Sequence, residues 1–272
     1  MSYDFSGVIL LSDIDGTLAW SGNISEENLN AVRFFTENGG KFTVATGRSS
    51  AYIREYYTPR LCINAPMATI NGTVLETLDS GMIIWKKPLC KGFSNVIRTA
   101  YEYCECIEKL LVYKINETEL CSPQFTGDDG EEYFKLLIVT TDEKNALDLQ
   151  RFLTRKFGGR YVIMRSWNMG IEIIERGAGK GICLNRIKRM TGSEITVAMG
   201  DYENDSEMFD AADISVAVEN AVPQLKQKAN YITVSGERNA VAKVIENMPK
   251  IIDEYRSKSQ SVRNNFIKFS LN

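Results

Sequence analysis

A short apolar run, Val8-Ile9-Leu10-Leu11, breaks abruptly into Ser12, Asp13, Ile14, Asp15 and Gly16. A run apolar on both faces is what a buried strand of a parallel sheet requires. Ligands of open α/β sheets bind beyond the carboxyl ends of such strands. The two aspartates thus stand at the mouth of a site, and residues two apart in a strand point the same way. Gly16 permits a turn there. Asp13 then reads as a nucleophile and Asp15 as its acid/base partner, because a carboxylate that becomes an aspartyl-phosphate is an established covalent strategy. An Asx turn or a calcium loop carries the same Asp-x-Asp. The EF-hand loop is excluded, since it needs Asp or Asn at 17 and Gly at 18 where the chain has Thr17 and Leu18.

Three further segments bear on the choice. Lys41 to Val44 continue as Ala45-Thr46-Gly47-Arg48, a β-branched strand ending in a hydroxyl and a glycine. Thr46 can donate to a phosphoryl oxygen, although alone it reads as a helix cap. Gly177-Ala178-Gly179-Lys180-Gly181 opens a predicted helix, and Lys180 can neutralise a phosphate as a point charge. It is no Walker A loop, because Ile174 replaces the first glycine and Gly181 the Ser or Thr. Ile195 to Met199 form another apolar strand, ending in Gly200-Asp201-Tyr202-Glu203-Asn204-Asp205. Hard oxygen ligands clustered at a strand end suit magnesium.

Taken together, DIDGTL at 13–18, TGR at 46–48, Lys180 with Gly181, and GDYENDSEM at 200–208 resemble, in order and spacing, the four motifs of the haloacid dehalogenase (HAD) superfamily of phosphohydrolases. The closer likeness is to its Cof-type branch, supported by Ile70-Asn71-Gly72-Thr73 and by 214–221. The resemblance covers roughly 7–82 and 171–247. It implies a Rossmann-like, doubly wound parallel-sheet core formed by 1–83 and 174–272, interrupted by an α/β cap at 84–173. It implies Asp13 and Asp15 as catalytic groups, with Thr46, Gly47, Lys180 and Asn204 at the phosphate. It implies Mg2+ held by Asp13, Asp15 (through its backbone carbonyl), Asp201 and Asp205. The cap would choose among small phosphate esters such as sugar phosphates or pyridoxal phosphate; Arg165, Ser166, Trp167, Asn168 and Glu172, at the end that leads back to the core, are its candidate contacts. A phosphomutase of the same superfamily, or a binding protein that kept the fold, are the alternatives. An ion pump is not, since pumps of this superfamily carry Thr at the position of Asp15, which suits a leaving group needing no proton.

The chain has no histidine, so it holds no Ser-His-Asp triad, no Cys-His protease site and no histidine-bound metal. A net charge of −3 over 272 residues argues against a nucleic-acid partner. No apolar run is long enough for a membrane span, and Met1 to Ser6 do not read as a signal peptide, so a cytoplasmic location is expected. The six cysteines show no CxxC spacing and read as reduced, mostly buried thiols. Nothing in the sequence fixes the oligomeric state.

Ser25, Glu26 and Glu27 mark a helix start, and Gly39 its end, so 7–46 reads as strand, helix, strand. Strands are expected near 195–199, 214–218 and 231–234. In the insert, the spacing predicts a helix over 91–109, a strand over 110–115 and a polar loop over 116–132. A strand over 134–140, a helix from Asp142 to Phe157 and a strand pair around Asn168-Met169 follow. The tail from Arg256 is polar, then carries Phe266, Ile267 and Phe269.

Overall fold

In the computed structural model the strand Val8–Ser12 is buried along its whole length and lies inside a five-stranded parallel sheet. The structure describes residues 4–269 except Pro59 and Asp128, and only the backbone of 259–269. Lys41–Val44 pairs on one side of Val8–Ser12 and Ile195–Gly200 on the other, followed by Ile214–Ala217 and Tyr231–Ile232. Because every pairing is parallel, all the carboxyl ends share one edge. The order reverses between Val8–Ser12 and Ile195–Gly200, which makes the crevice beyond Asp13 and Asp201 the topological switch point.

The helices follow local chemistry. Ser25 caps Glu26–Glu37 by accepting from the Asn28 amide at 3.1 Å, with Glu26 and Glu27 in the first turn. Asn28 is itself buried: its side chain donates to Leu18 O and accepts from Ala242 N, tying this helix to the long C-terminal one, Ala240–Phe269. The side chains of Phe266, Ile267 and Phe269 lie outside the described residues. Lys180–Thr191 ends at Gly192 in the left-handed conformation. No helix among the described residues is long and apolar enough to cross a membrane.

Met67–Thr69, Val74–Glu76 and Ile83–Lys86 form a small antiparallel sheet joined to the parallel one through an Ala45–Ala68 bridge. Its first turn holds Ile70, Asn71 and Gly72 at φ 49°, 56° and 73°. A side chain at Gly72 would collide with the backbone of Gly179 and Lys180, 2.3 and 2.7 Å from its Cβ. The absent Cβ seats this turn against the start of the Lys180 helix.

The insert is a second five-stranded sheet, antiparallel, in the order Thr118–Leu120, Ile107–Tyr113, Lys135–Thr140, Gly170–Glu175, Tyr161–Trp167. Helices Ser94–Tyr103 and Glu143–Phe157 share an apolar cluster with Leu110, Val112, Leu136, Ile138, Ile171 and Ile173. Strand side chains alternate between faces, so Lys135, Leu137 and Glu172, which sit between those apolar residues, face the parallel sheet.

Two expectations change. The first insert helix stops at Tyr103, because Cys104 is extended (φ −152°) and strand Ile107–Tyr113 begins three residues later. The polar stretch 116–132 contains the short edge strand Thr118–Leu120. The cysteines also differ from the reduced, buried reading. Cys104 and Cys106, at a Cα separation of 5.2 Å, are disulfide-bonded, and Cys90 is exposed.

Candidate active site

The carboxyl ends of three parallel strands deliver Asp13, Thr46 and Asp201 to one place. Asp13 N is fixed by Met199 O at 2.9 Å, which carries the strand register one residue into the site. Lys180, almost wholly buried, places its ammonium 2.6 Å from Asp13 Oδ1 and 2.6 Å from Asp205 Oδ1. Asp205 Oδ2 accepts the amides of Asp201 and Tyr202 at 2.9 and 3.2 Å. Asp205 is thus fully engaged in bracing the lysine and its own loop. Gly16 has φ 81°, and a Cβ there would sit 2.5 Å from Asp201 Oδ2. Its absence lets the Asp201 carboxylate lie beside the Asp13-Asp15 turn.

Carboxylate oxygens of Asp13, Asp201 and Asp205 lie within 4.8 Å of one another. Burial pushes Asp13 above the usual carboxylate range, and Lys180 opposes that shift while Asp205 adds to it. Burial raises Asp201 well above that range too, with Asp13 and Asp205 adding repulsion. Lys180 is raised despite its burial, because the two aspartates hold its proton. Three carboxylates, two buried and Asp201 partly so, face one ammonium, and the like charges oppose one another's ionisation. All the donors are hard oxygens, so the site suits a divalent cation such as Mg2+.

Asp15 is half exposed and points elsewhere. Arg48 grips it with both arms, Nε to Oδ2 at 2.9 Å and Nη2 to Oδ1 at 3.0 Å. Arg48 also lies over the Tyr52 ring, 4.5 Å from its centroid. Thr46 is fully buried; its hydroxyl accepts the Arg48 amide, which leaves its own proton to donate.

A cavity of about 480 Å³ lies between the two sheets. Asp13, Asp15, Gly47, Arg48, Asp201 and Asn204 line it from the parallel-sheet side, and Tyr113, Lys135, Leu137, Ser166, Trp167 and Glu172 from the insert. A larger groove elsewhere, near Arg54 and Pro66, is lined by a single carboxylate, Asp79. Of the five insert residues expected at the substrate, Ser166, Trp167 and Glu172 therefore line the cavity. Arg165 and Asn168 do not. Arg165 is buried against Glu203, donating from Nη2 and Nε at 2.7 and 3.1 Å, and Asn168 Oδ1 accepts from Tyr202 Oη at 2.8 Å. They join the insert to the loop that carries Asp201 and Asp205.

The model of the haloacid dehalogenase-like hydrolase family matches residues 10–118 and 113–245. The chain belongs to that family. Among its HAD relatives, the 5-amino-6-(5-phospho-D-ribitylamino)uracil phosphatase of Bacillus subtilis is 32% identical, over 87% of this chain and 96% of that one. Phosphoglycolate phosphatase 2 of Saccharolobus solfataricus is 27% identical, over 91% and 97%. The solved structure of a HAD-like hydrolase from B. subtilis superposes with a TM-score of 0.77 at 20% identity, covering 88% of this chain and 98% of that one. A sugar phosphatase of HAD subclass IIB gives a TM-score of 0.74 at 19% identity, over 89% and 98%. The HAD fold expected from the motifs is the fold observed.

Sequence reasoning missed Lys135, Tyr113, Glu203 and the grip of Arg48 on Asp15. A signal existed for Lys135, a lone charge in the apolar strand Lys135–Thr140 that pairs with Glu172 at 2.6 Å. Charges buried in a strand are paired or functional.

Proposed function

We propose that this HAD-family phosphatase is Mg2+-dependent and hydrolyses small phosphate monoesters through an aspartyl-phosphate on Asp13. The observation that carries the reading is the setting of Asp13 itself. One of its oxygens is bound by Lys180, and no donor among the described residues reaches the other, at a position lining the cavity.

In this scheme an Asp13 oxygen attacks phosphorus, and the bond from phosphorus to the ester oxygen breaks. Asp15 protonates the departing alkoxide, then takes a proton from the water that attacks the phosphoenzyme. Inorganic phosphate leaves and Asp13 is regenerated. Thr46, the Gly47 backbone, Asn204 and Lys180 hold the phosphoryl oxygens. Asp13, Asp201 and the Asp15 carbonyl would hold the cation, with Asp205 as their brace. When bound, the cation screens the repulsion between anionic nucleophile and anionic ester. The insert, expected at 84–173 and lying between the strand Ile83–Lys86 and Arg176, acts as the cap over the core, and its Trp167 faces the leaving group. A cavity of about 480 Å³ matches a small metabolite. We place the activity in the cytoplasm.

The test is phosphate release from a panel of phosphorylated metabolites, each with magnesium and with chelator. Magnesium-dependent release is expected. No release from any ester, or isomerised sugar phosphate without free phosphate, would overturn the reading.

A further inference from the structure

Asn71 takes no part in the chemistry above, yet it bonds to two of the core loops that do, and to the insert. Its amide donates to Thr46 O at 2.8 Å, and the neighbouring Ile70 amide donates to Arg48 O at 2.9 Å. The turn at 70–72 thus holds the 46–48 loop by its carbonyls. On the side chain, Oδ1 accepts from Asn204 Nδ2 at 3.2 Å, and Nδ2 donates to Glu172 Oε2. Glu172 Oε1 accepts from Lys135 Nζ at 2.6 Å, and the same ammonium donates to Gly47 O at 2.9 Å. The chain Asn204–Asn71–Glu172–Lys135–Gly47 therefore runs from the Asp201 loop through the insert to the loop after Thr46. All three central side chains are almost fully buried. Gly47 is seated inside the chain: a Cβ there would lie 3.4 Å from Asn71 Oδ1, 3.5 Å from Glu172 Oε1 and 3.6 Å from Lys135 Nζ.

Lys135 gives two of its three N–H donors to a carbonyl and a carboxylate and rests over the Tyr113 ring at 4.1 Å. Glu172 is likewise satisfied by protein. Groups already bonded in this way do not need a leaving group to complete them. We propose that Asn71, Glu172 and Lys135 are positioning residues for the phosphate cradle: when the insert sits over the core, they lock Gly47 and Asn204 into the arrangement that receives the phosphoryl group. The insert then builds the phosphate site as well as covering it. This inference rests on the phosphatase reading, with phosphate lying between Gly47, Asn204 and Lys180.

The experiment measures binding of inorganic phosphate in the presence of Mg2+, and turnover of methyl phosphate, whose methyl group is too small to engage the insert. Asn71→Gly removes only the side chain and accepts the positive φ, and Glu172→Gln can keep the chain by amide flips. Glu172→Ala and Asn71→Gly are each expected to weaken phosphate binding about tenfold or more and to lower methyl phosphate turnover, while Glu172→Gln stays near wild type. The double variant should be no worse than the poorer single one, because both break one chain. Unchanged phosphate binding in Glu172→Ala and Asn71→Gly, with defects confined to larger esters, would overturn the proposal, as would additive effects. If the wild type neither binds phosphate nor cleaves any ester, the phosphatase reading falls and this inference falls with it.

Discussion

Lys180 and Asp13, 167 positions apart in the chain, meet at 2.6 Å in a place almost closed to water. Asp205 completes the group at the same distance from the ammonium. Lys180→Ala would leave two buried carboxylates without their cation. Breaking a buried pair by removing one partner costs about 3–5 kcal/mol. Urea denaturation of the metal-free protein should show a loss of this order, and phosphate release should disappear. Stability within about 1 kcal/mol of wild type would show that the pair contributes little to the fold.

Asp13→Asn is expected to abolish turnover without unfolding the protein. Burial already works against the Asp13 charge, and Asp201 is crowded by it. The amide removes a like charge, while Lys180 keeps Asp205. The metal-free variant should thus melt no lower than wild type near neutral pH. A clean preparation that still releases phosphate would remove Asp13 as nucleophile.

Arg48 orients Asp15 by two parallel hydrogen bonds. Arg48→Ala should slow esters with poor leaving groups by about tenfold to a hundredfold, since general acid catalysis typically contributes more than that in full. Aryl esters, which leave without a proton, should suffer less. The comparison of alkyl with p-nitrophenyl phosphate decides it: equal losses on both would separate Arg48 from the acid.

Asp213 supplies a pH dependence away from the site. Burial acts to raise its carboxyl, but Lys188 and the hydroxyl and amide of Thr196 outweigh it, so the net shift is downward. A group depressed on folding adds stability above its unfolded value, near 3.9 for Asp, and that stability is lost as pH falls through the folded value. Asp213→Ala should cost about 1–3 kcal/mol at neutral pH. The gap to wild type should close as acid is added below about pH 4. A gap independent of pH in urea titrations would assign the loss to packing.

Glu203 accepts from Arg165 N, Nε and Nη2 and from Gln150 Nε2, so one core side chain holds two elements of the insert. Glu203→Ala should loosen the insert at a cost of about 2 kcal/mol. Faster trypsin cleavage at the linker residues Lys91 and Arg176 would register it, and an unchanged rate would show that Glu203 does not hold the insert.

The parallel strands were legible because their ends are marked chemically: apolar runs stopping at Asp13, Thr46 and Asp201 leave little choice of where a site opens. Trp167 and Glu172 were placed at the cavity for a related reason, their nearness to the hairpin that leads back to the core. Arg165 and Asn168 share that neighbourhood but face the 201–205 loop, since a strand sends alternate side chains to opposite faces and the β-bulge after Gly170 shifts the register. Asn71 was marked only as part of the 70–73 turn, and its role stayed hidden because its side chain meets Asn204 and Glu172, 133 and 101 positions away in the chain. The early end of Ser94–Tyr103 was equally unmarked, as no Gly or Pro follows it before Ile107.

The two linkers of the insert meet: the Cys90 amide and thiol both donate to the Glu175 carboxylate, at 2.9 and 2.8 Å. Between them runs a segment whose five strands, among the described residues, pair only with one another. A segment of such self-contained pairing gains structure without waiting for the rest of the chain. Once ordered, it delivers its two ends side by side, and the entropy of closing a long loop is already spent when Ile195–Gly200 comes to pair with Val8–Ser12. The interruption that separates the nucleophile from its lysine in sequence thereby shortens the search by which the two find each other.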